Sequence, residues 1–202
     1  MIKNILKIKS DSFSEIIETT ATILQNGGVI IYPTDTIYGF GSSYKNEIGT
    51  EKIFTIKGRD DKKALILLAS SVEMVLDYIL PPNFIAKSLM QKFWPGPVTL
   101  IFKTQNENLA FRVPQNNFCI ELIKFLGSPI TSTSVNRNGK EPITKIENII
   151  EEFSNEVDLI IDGGLLATTT PSTIIDVTGD KPKILRRGEK INDIEIFISE
   201  LV

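Results

Sequence analysis

The sequence predicts an α/β fold, because short apolar runs alternate along it with longer segments of helical periodicity. Residues 29–32 form an apolar run that stops at Pro33, which is typical of a buried strand. A helix with one buried face is predicted upstream, on Phe13, Ile16, Ile17, Thr20, Ala21 and Leu24. A chain of 202 residues with 42% hydrophobic content is long enough for one well-formed core, so we expect a single domain over residues 1–202.

The same patterns predict further elements along the chain. Strands are predicted at 2–8, 64–69, 98–103, 157–162, 174–177 and 183–185, with a short strand before the hydroxyl-rich segment 131–136. Helices are predicted at 46–56, 72–79, 83–93, 118–126, 143–153 and 191–201. We expect Ser12 and Glu15 to form a capping box, Ile48 to lie in the core and Thr144 to begin its helix.

Charge and the rare residue types exclude several classes of function. The chain has no histidine and one cysteine, Cys119, which excludes Ser-His-Asp triads, Cys-His nucleophiles, the usual zinc ligand sets and a disulfide within the chain. The net charge is −3, whereas a protein whose main task is to bind nucleic acid is expected to have an excess of basic residues. No stretch approaches the roughly 20 apolar residues of a membrane span, so we expect a cytoplasmic protein without membrane contact.

The segment GGVIIYPTDTIYGFG, at residues 27–41, is the strongest candidate for a ligand site. It places three small polar side chains, at 34–36, directly after a strand, where open α/β sheets bind ligands. We expect Gly39 and Gly41 to turn the chain tightly and bring bare backbone close to a ligand, with Tyr38 as one wall. The alternative is a plain strand, turn and second strand whose hydroxyls stabilise the loop. Neither a P-loop nor a dinucleotide fingerprint is present.

Two further segments carry charge in places that suit a ligand. KGRDDKK, from Lys57 to Lys63, contains four cations beside a glycine and precedes a strand, so Lys57 and Arg59 suit a polyphosphate; a solvated charge run is the alternative. Arg112 lies inside the apolar segment 109–113, where a charge needs a partner or a ligand, and both readings stay open.

The densest polar segment is TSTSVN, at residues 131–136. Four hydroxyls and an amide are more than a turn needs, and such groups bind phosphate, ribose and carboxylate oxygens without ionising. A Ser/Thr-rich loop that hydrogen-bonds its own backbone is the alternative. The segment 167–170 reads as a mobile polar link.

Seven motifs, in this order and spacing, resemble the YrdC-like family of threonylcarbamoyl-AMP synthases. They are YPTDTIYGFG, KGR, FWPGPVTL, FRVP, TSTSVN, PSTIID and ILRRG, between residues 32 and 188. One tripeptide alone is unspecific, whereas seven in register are specific. The resemblance implies an open, twisted α/β sheet of mixed strand direction, flanked by helices, with a concave basic site.

The resemblance also implies an activity and a set of site residues. The family condenses L-threonine, bicarbonate and ATP, with Mg²⁺, into L-threonylcarbamoyladenylate and pyrophosphate; a separate transferase complex then modifies the adenosine beside the anticodon of certain transfer RNAs. The positions that match the threonine contacts are Thr36, Arg112, Ser132 and Ser172. Those that match the nucleotide contacts are Lys57, Arg59, Lys63, Ser134, Asn136 and Arg186, of which Lys57 and Arg59 are the catalytic candidates. No metal ligands and no general base are assigned.

The sequence departs from the family pattern at two positions. Asp60 replaces a common proline after the KGR arginine, and Leu68 stands where longer relatives have a histidine near threonine. The chain ends soon after ILRRG and resembles the short, single-domain form of the family. Two other functions remain open: an RNA-binding module of the same fold, which contacts double-stranded or transfer RNA without turnover, and a carbamoyl-adenylate-forming domain that uses carbamoyl phosphate.

The resemblance predicts that Lys57→Ala or Arg59→Ala severely reduces threonine- and bicarbonate-dependent release of pyrophosphate from ATP. The physical reason is that these cations offset charge on the triphosphate while the carbamate attacks the α-phosphorus. A pyrophosphate assay with purified protein and Mg²⁺ measures the effect. Release that depends on neither threonine nor bicarbonate would contradict the enzymatic prediction.

Overall fold

A computed structural model describes residues 4–58 and 65–201 of the chain. Within them the strands are β1 (Ile5–Lys7), β2 (Ile30–Tyr32), β3 (Gly39–Gly41), β4 (Ile66–Leu68), β5 (Val98–Lys103), β6 (Asn108–Arg112), β7 (Ile130–Ser134), β8 (Leu159–Asp162), β9 (Thr173–Asp176) and β10 (Lys183–Arg186). The α-helices are α1 (Phe13–Gln25), α2 (Glu47–Lys57), α3 (Val72–Leu76), α4 (Phe84–Phe93), α5 (Asn117–Leu126), α6 (Ile146–Phe153) and α7 (Ile191–Leu201). None of these described helices is long and apolar enough to cross a membrane.

All of the described strands belong to one sheet of mixed direction, in the order β1-β8-β2-β3-β7-β4-β6-β5-β9-β10. Strand β8 pairs in parallel with β1 and β2, and further parallel pairs are β4 with β6 and β5 with β9. The central strands β2, β3, β7 and β4 are joined by antiparallel ladders. The predicted α/β class with a mixed sheet and flanking helices is therefore confirmed.

Helices cover both faces of the sheet, as the side chains of β2 show. Ile30 and Tyr32 pack in a cluster with apolar residues of α1 and α5, whereas Ile31 packs in a second cluster with residues of α2 and α6. Alternate side chains of a strand point to opposite faces. Because all three are fully buried, β2 reads as a continuous apolar run rather than an alternating one. A third cluster joins β5 and β6 to α4 and α7.

Three local predictions are wrong. Ser12 makes no side-chain capping bond, because a 3₁₀ turn at Ser10–Ser12 leaves it with ψ near 14° instead of the extended backbone that a capping residue needs. Ile48 is 63% exposed, since α2 buries the face of Gly49, Ile53 and Ile56. Thr144 precedes the helix, which begins at Ile146.

The buried face of α2 explains its glycine. A Cβ at Gly49 would lie 2.7 Å from the Cβ of Ser42 and 3.3 Å from the carbonyl oxygen of Gly28. The glycine therefore allows the helix to approach the sheet closely, although it weakens the helix by about 1 kcal/mol relative to alanine. Asn46 compensates in part, because its side chain caps the helix by accepting from the backbone of Ile48 at 3.2 Å.

We predict that Gly41→Ala lowers the free energy of unfolding by about 1–3 kcal/mol. A Cβ at Gly41 would lie 2.5 Å from Cε1 of the buried Tyr32 ring and 3.0 Å from the carbonyl oxygen of Thr131. The matched control is Gly179→Ala, because the nearest atom to its added Cβ is 3.9 Å away. Urea unfolding of both variants measures the difference, and equal midpoints for the two would contradict the prediction.

Candidate functional site

One cavity of about 260 Å³ lies over the middle of the sheet. This volume is just under the range of roughly 300–1,000 Å³ typical of small-molecule sites. Six of the site residues that the family resemblance implies line it: Thr36, Arg112, Ser132, Ser134, Ser172 and Arg186. Its other lining residues are Thr34, Ile37, Tyr38, Gly39, Leu65, Ile66, Thr133, Pro171 and Ile174. The structure thus brings together segments that are far apart in the chain.

The cavity requires a curved sheet. It is lined both by Gly39 of β3 and by Arg186 of β10, and these strands are separated by five others in the sheet. At about 4.8 Å per strand, a flat sheet would hold them roughly 29 Å apart. Because both border one small cavity, the sheet curls around it, and the twist of β-strands supplies such curvature. The concave shape predicted for the site follows from this geometry.

The loop between β2 and β3 is held by its own hydroxyl groups. The hydroxyl of Thr34 donates to the carbonyl oxygen of Ile37 at 2.7 Å, accepts from the backbone N–H of Thr36 at 3.0 Å, and lies 3.0 Å from the Thr36 hydroxyl. The strand, turn and strand alternative is confirmed for the backbone, and the same loop also lines the cavity. Self-hydrogen-bonding of this kind fixes where Thr36 points.

The prediction that Gly39 and Gly41 form a tight turn is wrong. Both lie in β3, which pairs with β2 and β7. Their small size has a different use: a Cβ at Gly39 would lie 3.1 Å from the hydroxyl oxygen of Ser132, and one at Gly41 would clash with Tyr32. A glycine in a strand interior commonly marks such a close approach. The bare backbone of Gly39 is part of the cavity wall.

Arg112 is the most buried charge in the cavity, with 4% of its side chain exposed. It ends β6, and its Nη1 donates to the hydroxyl of Thr36 at 3.0 Å. Its Nη2 lies 3.4 Å from a carboxylate oxygen of Asp35, whose side chain is 9% exposed. The ion-pair interpretation of Arg112 is therefore confirmed. Arg112 also lines the cavity, and its contact with a ligand stays a prediction.

Arg186 approaches the same cavity from β10. Its Nε donates to the carbonyl oxygen of Ser172 and its Nη2 to the Ser172 hydroxyl, both at 2.9 Å. That hydroxyl lies 2.8 Å from the hydroxyl of Thr99, which is buried in β5. Desolvation, and then the positive charge of Arg112, lower the pKa of Arg186. Two guanidinium groups that repel each other across one cavity favour an anionic ligand.

The hydroxyl-rich segment is a strand and not a loop. Residues Ile130–Ser134 form β7, which pairs with β3 on one side and β4 on the other. The prediction of a short strand followed by a polar loop, and its alternative of a loop that caps itself, are both wrong for these residues. The strand directs Ser132 and Ser134 to the same face, and both line the cavity.

Lys57 and Asn136 lie behind Ser134 and do not line the described cavity. The Lys57 ammonium donates to the carbonyl oxygen of Ser134 at 2.6 Å, to that of Asn136 at 3.0 Å and to the Asn136 amide oxygen at 2.9 Å. The Ser134 hydroxyl donates to the same amide oxygen at 2.6 Å. The ammonium also lies 5.5 Å from the centre of the Phe40 ring. Lys57 therefore fixes the end of β7 next to the cavity.

Several residues for which the sequence makes predictions lie outside the described part of the chain, and the predicted basic character of the site depends on some of them. Arg59, Asp60 and Lys63 are in the segment 59–64, which the structure does not describe. The described cavity lining has two charged side chains, Arg112 and Arg186, and Asp35 offsets the first. The basic character of the site therefore stays a prediction.

The departure at Leu68 is explained by burial. Leu68 is fully buried in β4, opposite Arg112 in the ladder with β6, and packs in the cluster that joins the sheet to α1 and α5. A leucine there contributes apolar packing and has no polar atom to offer a ligand. Any amino-acid contact that a histidine would make at this position has to come from another side chain.

Tyr38 connects the cavity wall to the segment after β8. Its hydroxyl donates to the carbonyl oxygen of Gly164 at 2.8 Å and accepts from the backbone N–H of Gly163 at 3.1 Å. Burial raises the pKa of Tyr38 to about 12, so the phenol stays protonated at neutral pH. The segment 167–170, predicted as a mobile link, has no regular secondary structure, and its Thr168 hydroxyl donates to the Glu189 carboxylate.

The pattern at 34–36 predicted Asp35 at the ligand site together with Thr34 and Thr36, but Asp35 does not line the described cavity; it pairs with Arg112, which is distant in sequence. The sequence interpretation missed Thr99, which lies beside the cavity residue Ser172. Thr99 was visible as a hydroxyl inside the apolar strand VTLIF, where a buried polar side chain needs a partner. The structure supplies that partner as Ser172.

These features define an α/β protein with a concave cavity lined by two arginines and several hydroxyl groups. Among the described residues, no group of three or more His, Cys, Asp or Glu side chains could hold a metal ion. The family model named Sua5/YciO/YrdC, with the description telomere recombination, matches residues 22–188. The chain belongs to this Sua5/YciO/YrdC family, as its motifs predicted.

Similar proteins include both synthases and family members with other names. The threonylcarbamoyl-AMP synthase of Bacillus subtilis is 32% identical over 85% of this chain and 53% of its own length. The structure of Pyrococcus abyssi Sua5 complexed with L-threonine is 29% identical, with a TM-score of 0.89 over 99% of this chain and 62% of that one. Escherichia coli YciO is 30% identical, with a TM-score of 0.82 over 92% and 94% of the two chains. The chain spans little more than half the length of the curated synthases it matches.

We predict that Cys119 reacts with a thiol reagent at least a hundredfold more slowly in the folded protein than in denaturant. The thiol is fully buried on α5, 3.4 Å from the carbonyl oxygen of Pro33. Burial, followed by the nearby Asp35 carboxylate, raises the pKa of the Cys119 thiol, which suppresses the reactive thiolate. Because the chain has one cysteine, the whole absorbance change of a chromogenic thiol reagent reports on Cys119. Rapid stoichiometric labelling of the folded protein would contradict the prediction and show that the packing around Cys119 opens.

Proposed function

We propose that the protein is a threonylcarbamoyl-AMP synthase, which forms L-threonylcarbamoyladenylate and pyrophosphate from L-threonine, bicarbonate and ATP. The observation that carries the proposal is the convergence of Arg112, Arg186 and the hydroxyls of Thr36, Ser132 and Ser172 on one cavity. The synthase names of its relatives and its similarity to a Sua5 that binds L-threonine support it.

In this proposal, threonine binds on the Arg112 side of the cavity. Arg112 attracts the carboxylate, while Thr36, Ser132 and Ser172 offer hydroxyls to its polar groups. The Ser172 hydroxyl already accepts from Arg186 and lies beside Thr99, so these two neighbours hold its oxygen in place. Fixed donors of this kind reduce the entropy that the ligand loses on binding.

The nucleotide binds next to Ser134 and Arg186. Lys57 and Asn136 hold the end of β7 there, which makes Lys57 at least a positioning residue for Ser134. Direct contacts of Lys57, Arg59 and Lys63 with the phosphates belong to the proposal, since Arg59 and Lys63 lie outside the described residues. Mg²⁺ would enter with ATP as part of the substrate and would offset charge on its phosphates, and no residue of this chain is assigned to hold it.

The chemistry suits a site without histidine. The threonine amine and bicarbonate first condense to a carbamate with loss of water; a carbamate oxygen then attacks the α-phosphorus, and pyrophosphate leaves with the bonding electrons. The protein's task is to align two anions and offset the charge that develops between them. Guanidinium and hydroxyl groups are sufficient for both. The product is a mixed anhydride, which a transferase complex would use to modify the adenosine next to the anticodon of transfer RNA.

We predict that Arg186→Ala lowers kcat/KM for ATP about ten- to a hundredfold, because a charge-assisted hydrogen bond contributes about 1.5–3 kcal/mol. The measurement is pyrophosphate release in the presence of threonine and bicarbonate. The matched control is Arg187→Ala, which removes the same charge one residue further on, from an exposed side chain paired with Glu195.

The pyrophosphate assay, together with a measurement of transfer RNA binding, separates the proposal from the RNA-binding alternative. Equal activity of both variants would contradict a role for Arg186. Pyrophosphate release that requires neither threonine nor bicarbonate would contradict the synthase assignment as a whole. Salt-sensitive binding of transfer RNA without any turnover would instead support the RNA-binding module.

A further inference from the structure

We propose that Asp35 sets the charge preference of the cavity: by pairing with Arg112, it makes the threonine subsite receive a singly charged carboxylate in preference to a doubly charged phosphate. The inference rests on the proposed function only in taking the Arg112 side of the cavity as the threonine subsite. It explains how one cavity can hold an amino acid beside a triphosphate without the phosphates occupying both places.

The geometry of the pair places the carboxylate behind the guanidinium. Asp35 is not among the residues that line the cavity, whereas Arg112 is. The atoms Oδ1 of Asp35 and Nη2 of Arg112 are 3.4 Å apart, with 9% and 4% of the two side chains exposed. In such a weakly solvated place an opposite charge is poorly screened. A ligand in the cavity therefore meets Arg112 as half of a nearly neutral pair.

The pair is not built for stability. Within the described residues, neither carboxylate oxygen of Asp35 has a hydrogen-bond partner, and neither does Nε of Arg112. Buried ion pairs stabilise a fold only when their remaining donors and acceptors are satisfied. An ordinary salt bridge of this type would be bidentate, at about 2.7–2.9 Å. Asp35 thus offsets the charge of Arg112 without accepting a hydrogen bond from it. The N–H donors of the guanidinium therefore remain available to Thr36 and to a ligand.

Arg186 makes this compensation necessary. Arg186 is half-buried and lines the same cavity, and the positive charge of Arg112 contributes to lowering the pKa of Arg186. Without Asp35, the two arginines would attract any anion in proportion to the anion's charge. A phosphate dianion would then gain about twice the binding free energy that a carboxylate gains. The ratio of the two affinities is therefore the quantity that reports on Asp35.

We predict that Asp35→Asn tightens inorganic phosphate binding about tenfold and acetate binding about threefold, which raises the affinity ratio about threefold. Calorimetric titration of the full chain, at a pH where phosphate is a dianion, measures both. The matched control is Asp193→Asn, which makes the same change in net charge at an exposed residue paired with Lys190 and is expected to change neither affinity. An unchanged ratio in Asp35→Asn, or the same rise in the control, overturns the proposal.

The double variant Asp35→Asn/Arg112→Gln keeps the proposal testable if the single variant does not fold. Changing both members of the pair together avoids leaving one uncompensated buried charge, which is the strongly destabilising case. It leaves the net charge of the cavity unchanged, so we expect the wild-type phosphate-to-acetate ratio even though both affinities fall. A raised ratio in the double variant overturns the proposal. Neither titration requires turnover, so a failed synthase assay and a failed charge preference are distinguishable results.

Discussion

The buried guanidinium of Arg112 is the interaction on which the site depends. A charge taken out of water is costly unless it is paired and hydrogen-bonded. Arg112 meets this demand only in part, through Asp35 and Thr36 of a loop on the far side of β7 and β4 in the sheet, because its Nε has no hydrogen-bond partner among the described residues. The hydrogen bond to Thr36 also ties Arg112 to this loop, whose own hydroxyl bonds fix where Thr36 points.

The strand order explains why other distant residues meet there. Strand β7 lies between β3 and β4, which places Gly39 opposite Ser134 and Ile66 opposite Ser132. The curl of the sheet then brings Ser172 and Arg186 from its far edge to the same cavity.

In the proposed function, the described cavity acts through fixed charge and fixed hydroxyls, and no general base is assigned. Arg112 is paired with Asp35, whereas Arg186 has no ion-pair partner among the described residues, and desolvation and the charge of Arg112 lower its pKa. In the proposal, this asymmetry divides one cavity into a side suited to a carboxylate and a side suited to phosphate. In the proposed reaction the two substrates would meet at the boundary between these sides, where Ser132 and Ser134 lie one strand repeat apart.

Local patterns were sufficient for much of the fold. The bounds of β5 and α7 were predicted correctly, because hydrophobic periodicity and flanking turn residues act over a few neighbouring positions. The motifs also identified the family, and six of the site residues that the resemblance implied line the described cavity. The errors occurred where long-range pairing overrides local preference: Gly39 and Gly41 read as a turn but pair as a strand, and the hydroxyls of Ile130–Ser134 read as a loop but occupy the centre of the sheet.

The sequence by itself determined which side chains are available: arginines, hydroxyls and no histidine, in an order that specifies an α/β sheet. Only the tertiary structure decided that Asp35 neutralises Arg112, that Thr99 supports Ser172, and that Lys57 stands behind β7 instead of inside the described cavity. The physical reason is that such pairings depend on strand register and sheet curvature, which are set by contacts between residues far apart in the chain.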